Sequence, residues 1–351
     1  MNFWDNGAMF HRMLLWGLFF AICFGLGYPT LNRYDPRRTG GTSDSKIYYK
    51  VVVDEPQAGN PYEKYRVLIP FFARSIYHCF AKGRVGTWNT GFFALLVVNA
   101  AFCATAAYLL IWVGYRVTGN GPIALLGAML YLLNFTLSNE YLSGLVDSGQ
   151  SCFTLAVIWA LLTNQWGLLP LFCSLGALAK ETFIPFSVLF ATVWWLTAEH
   201  RDRKGPSPAV WIVAMFVLSS SALWGVNSLV SGCIVRPWTV VRVPPSGSFL
   251  NGLFGCLLNR TLLYDFAWLF PLGIWRWGRL PRPWVFASCV TALAVLAGGA
   301  YYHISTSSGR VLFSFMGPLM SLSAAILLTE WIEQIHPGHK GSAKAGSGGQ
   351  T

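Results

Sequence analysis

Long apolar runs recur along this chain almost from end to end, and they limit what it can fold into. They lie near 13–28, 91–113, 120–137, 150–164, 167–180, 183–198, 209–229, 261–275, 284–300 and 311–329. A helix needs about 20 apolar residues to cross the hydrocarbon of a bilayer. Within that layer every backbone polar group must be satisfied inside the protein, which leaves helices as the solution for runs of this kind. The expected fold is therefore an all-α polytopic membrane protein with about ten transmembrane helices, the fourth to sixth being short for full spans. Composition agrees: 11% of the 351 residues are charged and 54% are hydrophobic. A soluble enzyme, a disordered chain and a fibrous repeat are excluded on that ground.

The positions of the charges predict an orientation. With the N-terminus inside, the inner connections hold Arg116, then His200, Arg201, Arg203 and Lys204, then Arg276, Arg279 and Arg282, with Lys340 and Lys344 in the tail. The short outer connections hold Asp147 and the Lys180–Glu181 pair. In the short connections cations thus gather on one side, as the positive-inside rule requires, and both termini are expected to be cytoplasmic. The segment 29–90, with ten Lys/Arg against five acids, breaks the pattern, but long loops are exempt from the rule. The first run, preceded by Arg12, reads as a retained anchor because no small-x-small cleavage site follows it. The net charge of +11 comes with no nucleic-acid-binding motif, so membrane lipids are the expected partners and nucleic acid is not. The expected organisation is one transmembrane domain over 1–336 and a disordered Gly/Ser/Lys-rich tail over 337–351. A disulfide between Cys233 and Cys256 is expected if their loop faces an oxidising compartment.

The segment 29–90 is too long for a passive connector. Its first half is polar and turn-rich around Asp44, Tyr48 and Tyr49. Its second half, 61–82, alternates Leu68, Phe71, Phe72, Ile76 and Phe80 with Arg66, Arg74 and Lys82. That spacing predicts a short helix lying in the membrane interface, interrupted at Pro70. Such a helix is either a platform for an amphiphilic lipid phosphate or a plain anchor.

In layout the chain resembles the GT-C superfamily of integral-membrane glycosyltransferases, in particular the protein mannosyltransferases, the aminoarabinose transferases and bacterial relatives of unknown function. The shared features are one span, a large first extracytoplasmic loop with an early Asp and interfacial helices, and a train of further spans. The local matches are Asp44 before Tyr48-Tyr49, Pro61-Tyr62, Tyr65-Arg66-Val-Leu-Ile-Pro70, Gly144-Leu-Val-Asp147, Leu178-Ala-Lys180-Glu181-Thr182 and Gly309-Arg310-Val-Leu-Phe313. The resemblance implies a GT-C-like fold in a bacterial inner membrane. It also implies transfer of a sugar from a polyprenyl-phosphate donor to an acceptor hydroxyl on a protein, lipid or glycan outside the cytoplasm. Some branches of the superfamily bind a divalent metal through first-loop acids; no cofactor other than the lipid-linked donor is otherwise implied.

That chemistry needs a carboxylate to take the acceptor proton and cations to hold the leaving phosphate. Asp44 is the candidate base; its plainer reading is a solvated turn residue, and Asp54 and Glu55 are the alternatives. Asp147 is a candidate for binding acceptor or sugar, or else a helix-dipole cap. Lys180 is a candidate phosphate ligand oriented by Glu181, because charges between apolar runs are costly and usually functional. Arg310 and Arg66 suit bidentate phosphate contact, with interfacial snorkelling as the alternative. Tyr48 and His303 complete the candidate binding residues. Arg260 and Asp265 are expected to pair with each other. No Zn ligand set, nucleophile elbow or phosphate-cradling Gly loop occurs. Two other function classes remain open: a transporter or lipid flippase, and a catalytically inactive subunit that binds a lipid-linked sugar.

Overall fold

The computed structural model describes residues 8–33, 44–55, 66–80, 89–199, 206–235 and 247–335. The tail 337–351, Pro61-Tyr62, Tyr65, Lys82 and the basic cluster at 200–204 lie outside these. The described residues form helices and turns with no strand. In chain order the helices are α1 (Ala8–Arg33), α2 (Ser45–Val52), α3 (Leu68–Phe80), α4 (Thr90–Thr118), α5 (Gly121–Leu132), α6 (Phe135–Asn139), α7 (Asp147–Leu162), α8 (Leu169–Ala179) and α9 (Phe183–Thr197). After them come α10 (Pro208–Ser231), α11 (Phe249–Leu257), α12 (Arg260–Gly273), α13 (Arg282–Tyr301) and α14 (Ser305–Ile335).

Local chemistry explains the boundaries. The Asn89 side chain accepts from the Gly91 and Phe92 amides at the start of α4, and Gly119 ends that helix at φ 66°. Asn120 then caps α5, and Ser207 caps α10 just before Pro208. Each of the ten apolar runs is helical, that at 120–137 being divided between α5 and α6, but they differ in length. Five helices are long and apolar enough to cross a membrane: Met9–Pro29, Thr90–Thr118, Pro208–Ser231, Arg282–Tyr301 and Ser307–Ile335. The pair Gly121–Leu132 and Phe135–Ser143, bent by 48°, makes a sixth if it is one span. The expected count of about ten is thus reached only by including helices such as α8 and α9. The 15 residues of α9 rise only about 22 Å at 1.5 Å each, short of a 30 Å hydrocarbon layer.

The core forms around α14, which packs against α5, α12 and α13, while α4 packs against α1, α5 and α7. At Gly127, α5 lies so close to α14 that a Cβ would come within 3.2 Å of the Leu322 Cα. Tyr131 stacks on Phe313 with ring centroids 5.1 Å apart. On the outside, Val210, Val213, Phe216, Val217 and Leu218 of α10 and Phe286 and Leu293 of α13 are exposed. Long helices presenting large apolar faces of this kind belong to a membrane protein.

Three expectations are corrected. Pro70 does not interrupt the interfacial helix; it occupies the first turn of α3, where its missing N–H would have no intrahelical partner. Asp265 does not pair with Arg260; it is buried, accepts from the Thr136 amide at 2.9 Å and takes the Thr136 hydroxyl as well, capping α6 just past the bend. All eight cysteines are free: Cys233 is exposed beyond α10, while Cys256 is buried with its thiol 3.8 Å from the Ser308 hydroxyl.

Candidate functional site

Alternating helix directions bring one set of connections to one end of the bundle. At that end lie the start of α7, the α8–α9 turn, the start of α12 and the start of α14. The first-loop helices α2 and α3 lie across the same end, against α4. Tyr48, Val52, Ile69 and Ala73 bury there against Ala94, Leu95 and Val98 and against Leu145 and Val146, just ahead of α7. This apolar seat holds the first loop down without any charge, and the charged residues are arranged beside it.

Arg66, immediately before α3, is the joint between loop and bundle. Its Nε and Nη2 donate to the two carboxylate oxygens of Glu181 at 2.7 Å each, a bidentate pair. Its Nη1 donates to the Tyr48 hydroxyl at 2.8 Å and lies 3.5 Å from Asp44 Oδ2. Asp44 precedes α2, yet its carboxylate does not cap that helix; it is directed to Arg66 instead. Burial pushes the Tyr48 phenol up from its ordinary value, so it stays neutral. Burial alone would also raise Glu181, but the Arg66 guanidinium overrides it and holds the carboxyl below the usual glutamate range.

A second group adjoins the first through the adjacent residues Lys180 and Glu181, but Glu181 does not orient Lys180 as expected: its carboxylate is taken by Arg66, and Lys180 is held by Asp147. Lys180 follows the last turn of α8 and is 1% exposed. Its Nζ donates to Asp147 Oδ1 at 2.5 Å and to the Ser307 hydroxyl at 3.1 Å. Arg310 Nη1 donates to the other Asp147 oxygen at 3.0 Å. Its Nε lies 3.6 Å from Glu140 Oε2, and the Thr261 hydroxyl donates to Glu140 Oε1 at 2.6 Å. Asp147 therefore holds two cations at once from the first position of α7, which goes beyond a dipole cap. Removing one partner of such a buried group would leave an uncompensated charge.

Seven of the eight residues proposed from sequence are joined in this cluster: Asp44, Tyr48, Arg66, Asp147, Lys180, Glu181 and Arg310. His303 is not among them; it is exposed in the α13–α14 connection at φ 51°. Asp54, the alternative acid, pairs with Arg74 at 2.6 Å and His78 at 3.1 Å on the outer surface of α3. Comparison with protein-family models, with curated proteins and with solved structures finds no match for this chain.

The sequence reading missed Glu140, Thr261 and Ser307. Glu140 had a usable signal, since it is an acid between apolar runs on the same predicted side as Asp147. Thr261 and Ser307 had none, because a hydroxyl in an apolar neighbourhood more often bonds to its own helix. Among the described residues no group of three or more His, Cys, Asp or Glu has an arrangement that would hold a metal ion. The far end of the bundle has its own, simpler pairing, Arg276 to Glu330 at 2.5 Å.

Proposed function

We propose that this chain is a GT-C-like membrane glycosyltransferase. It moves a sugar from a polyprenyl-phosphate donor to a hydroxyl on an extracytoplasmic protein, lipid or glycan. In this reading the shorter helices complete a set of about ten spans and re-entrant segments, and the ion-paired end of the bundle faces away from the cytoplasm. The observation that carries the reading is the convergence, under the first-loop helices, of a half-exposed carboxylate with three buried or nearly buried cations.

The geometry supports specific roles. Asp44, 30% exposed, is the acid that an acceptor can reach, and it serves as the base for the acceptor proton. Arg66 sits behind it and fixes its position. Lys180 and Arg310, held together on Asp147, supply positive charge preorganised for a leaving phosphate. The prenyl chain would lie along the exposed apolar helix faces, in contact with lipid. Among the described residues the buried cations, Arg66, Lys180 and Arg310, gather at one end of the bundle and not along its depth, which supports surface chemistry over the path a transporter would need. A second reading, an inactive subunit that binds a lipid-linked sugar, draws support from one fact: each cation in the cluster already has a carboxylate partner.

Transfer of radiolabelled sugar from polyprenyl-phosphate donors, in membranes holding equal amounts of wild type and Asp44→Asn, tests the proposal. Wild type transfers and the variant loses at least a hundredfold, the lower bound of a general base's usual share of about 10²–10⁴. Equal transfer by both would remove Asp44 from the base role. No transfer across a broad donor and acceptor panel would favour the inactive subunit.

A further inference from the structure

The cluster has more acids than bases. Among the described residues, the carboxylates of Asp44, Glu140, Asp147 and Glu181 face the cations of Arg66, Lys180 and Arg310. With all seven ionised it carries one net negative charge in a largely dehydrated setting. A phosphodiester entering such a site adds a second negative charge, and like charges in a low-dielectric region repel strongly. Resting on the transferase reading above, we infer that binding of the lipid phosphodiester is accompanied by uptake of one proton, and that Glu140 is the residue that takes it.

Glu140 is singled out by its contacts. Each oxygen of Asp147 is bonded to a cation, at 2.5 and 3.0 Å. Both oxygens of Glu181 are bonded to Arg66 at 2.7 Å. Asp44 is open enough to keep water. Glu140 has one oxygen bonded to Thr261, while its Oε2 is buried with no hydrogen-bond donor. The nearest charge to Oε2, Arg310 Nε at 3.6 Å, is beyond hydrogen-bond range and belongs to a guanidinium shared with Asp147. A phosphate that draws on Arg310 removes the remaining compensation. A proton on Oε2 then cancels the charge and supplies the missing hydrogen bond.

One other acid near Glu140, Asp265, also lacks a cation partner among the described residues. The charged groups that act on Glu140 are Arg310 from α14, Asp147 from α7, Lys180 from the end of α8 and Asp265 from α12. Asp265 already accepts two bonds from Thr136. Also on α12, Arg260 and Tyr264 are exposed. Of the other helices packed nearby, α5 carries only Tyr131, α4 carries Cys103, Tyr108, Tyr115 and Arg116 but no carboxylate, and the described charged side chains of α1, His11 and Arg12, are near its start.

The test measures the pH dependence of lipid binding in nanodiscs. The probe is the methyl phosphodiester of a polyprenyl phosphate, a fixed monoanion, since a phosphomonoester would itself titrate near about pH 6. Wild type weakens by about tenfold per pH unit once the pH exceeds the titration of Glu140, the slope for one proton taken up. Glu140→Gln, which keeps an oxygen for Thr261 and is neutral, binds as tightly as wild type at its lowest pH and shows no slope. Wild-type binding without a slope, or binding that needs Mg²⁺ and is flat with pH, overturns proton uptake and leaves the transferase reading standing. An equal slope in Glu140→Gln overturns the assignment to Glu140. No binding by either protein at any pH overturns both the inference and the lipid-phosphate reading beneath it.

Discussion

Glu181 shows how a single residue can set the pH range over which the first loop stays seated. Its carboxyl is held below the usual glutamate range by Arg66 against the opposing effect of burial. A group whose folded value is depressed contributes its stability above the unfolded value and loses it as pH falls through the folded one. The Arg66–Glu181 bond, and with it the seating of α2 and α3, is therefore predicted to be unchanged from neutral pH down to about 4.3 and to loosen below that. Amide exchange of residues 45–52 and 68–80 reads this directly; a loss of protection between about pH 7 and 5 would contradict it. Most of the cluster was legible at this scale because charge among apolar neighbours is costly, and Arg66, Lys180, Glu181 and Arg310 stand out by that rule. What was not legible was the pairing. Arg66 and Glu181 are separated by 115 positions, and nothing local in either segment announces the other.

At the scale of the elements, the bend between α5 and α6 has a specific cause. The Asn134 side chain accepts from the Thr136 amide at 3.3 Å and its amide donates to the Asp265 carbonyl at 3.2 Å, while the Asp265 carboxylate also bonds Thr136. The bend is what places Glu140 and Tyr141 beneath the first loop. Asp265→Leu removes the acceptor for a buried amide and hydroxyl, at a cost of about 1–3 kcal/mol. A lower melting temperature in detergent, together with weakened sugar transfer, is the expected outcome, and an unchanged melting temperature would deny the cap its role. The apolar runs announced every long helix, because burial or lipid contact all round needs nothing more than continuous hydrophobicity. They did not announce the bend, since Asn134 sits inside what reads as one run, 120–137. They also misplaced the effect of Pro70, because whether a proline breaks a helix or begins one depends on where the first turn falls.

Over the whole molecule, the account requires the charged end and the first loop to lie on the same side of the membrane, away from the cytoplasm. Cys79 in α3 and Cys233 beyond α10 are both exposed and belong to that end. An impermeant maleimide is predicted to label both in right-side-out vesicles and neither in sealed inverted ones. Labelling of the two from opposite sides would break the proposed topology. The sequence placed Arg276, Arg279 and Arg282 at one end and Asp147 and Lys180–Glu181 at the other, and the helices do separate them so; which end faces the cytoplasm is what the labelling decides. The depth to which α8 and α9 enter the bilayer was not legible, because two short helices joined by a tight turn read the same whether they span or turn back.

The central claim is that the first loop and the bundle build one transferase site through Arg66 and Glu181. Its most direct test is sugar transfer from polyprenyl-phosphate donors by Arg66→Glu, Glu181→Arg and the double exchange, each at matched abundance. Each single variant leaves two like charges facing each other in a nearly buried position and is predicted to abolish transfer. The double exchange restores the pair and is predicted to recover a measurable part of it. Single variants that transfer as well as wild type would show that this joint is not part of the working site.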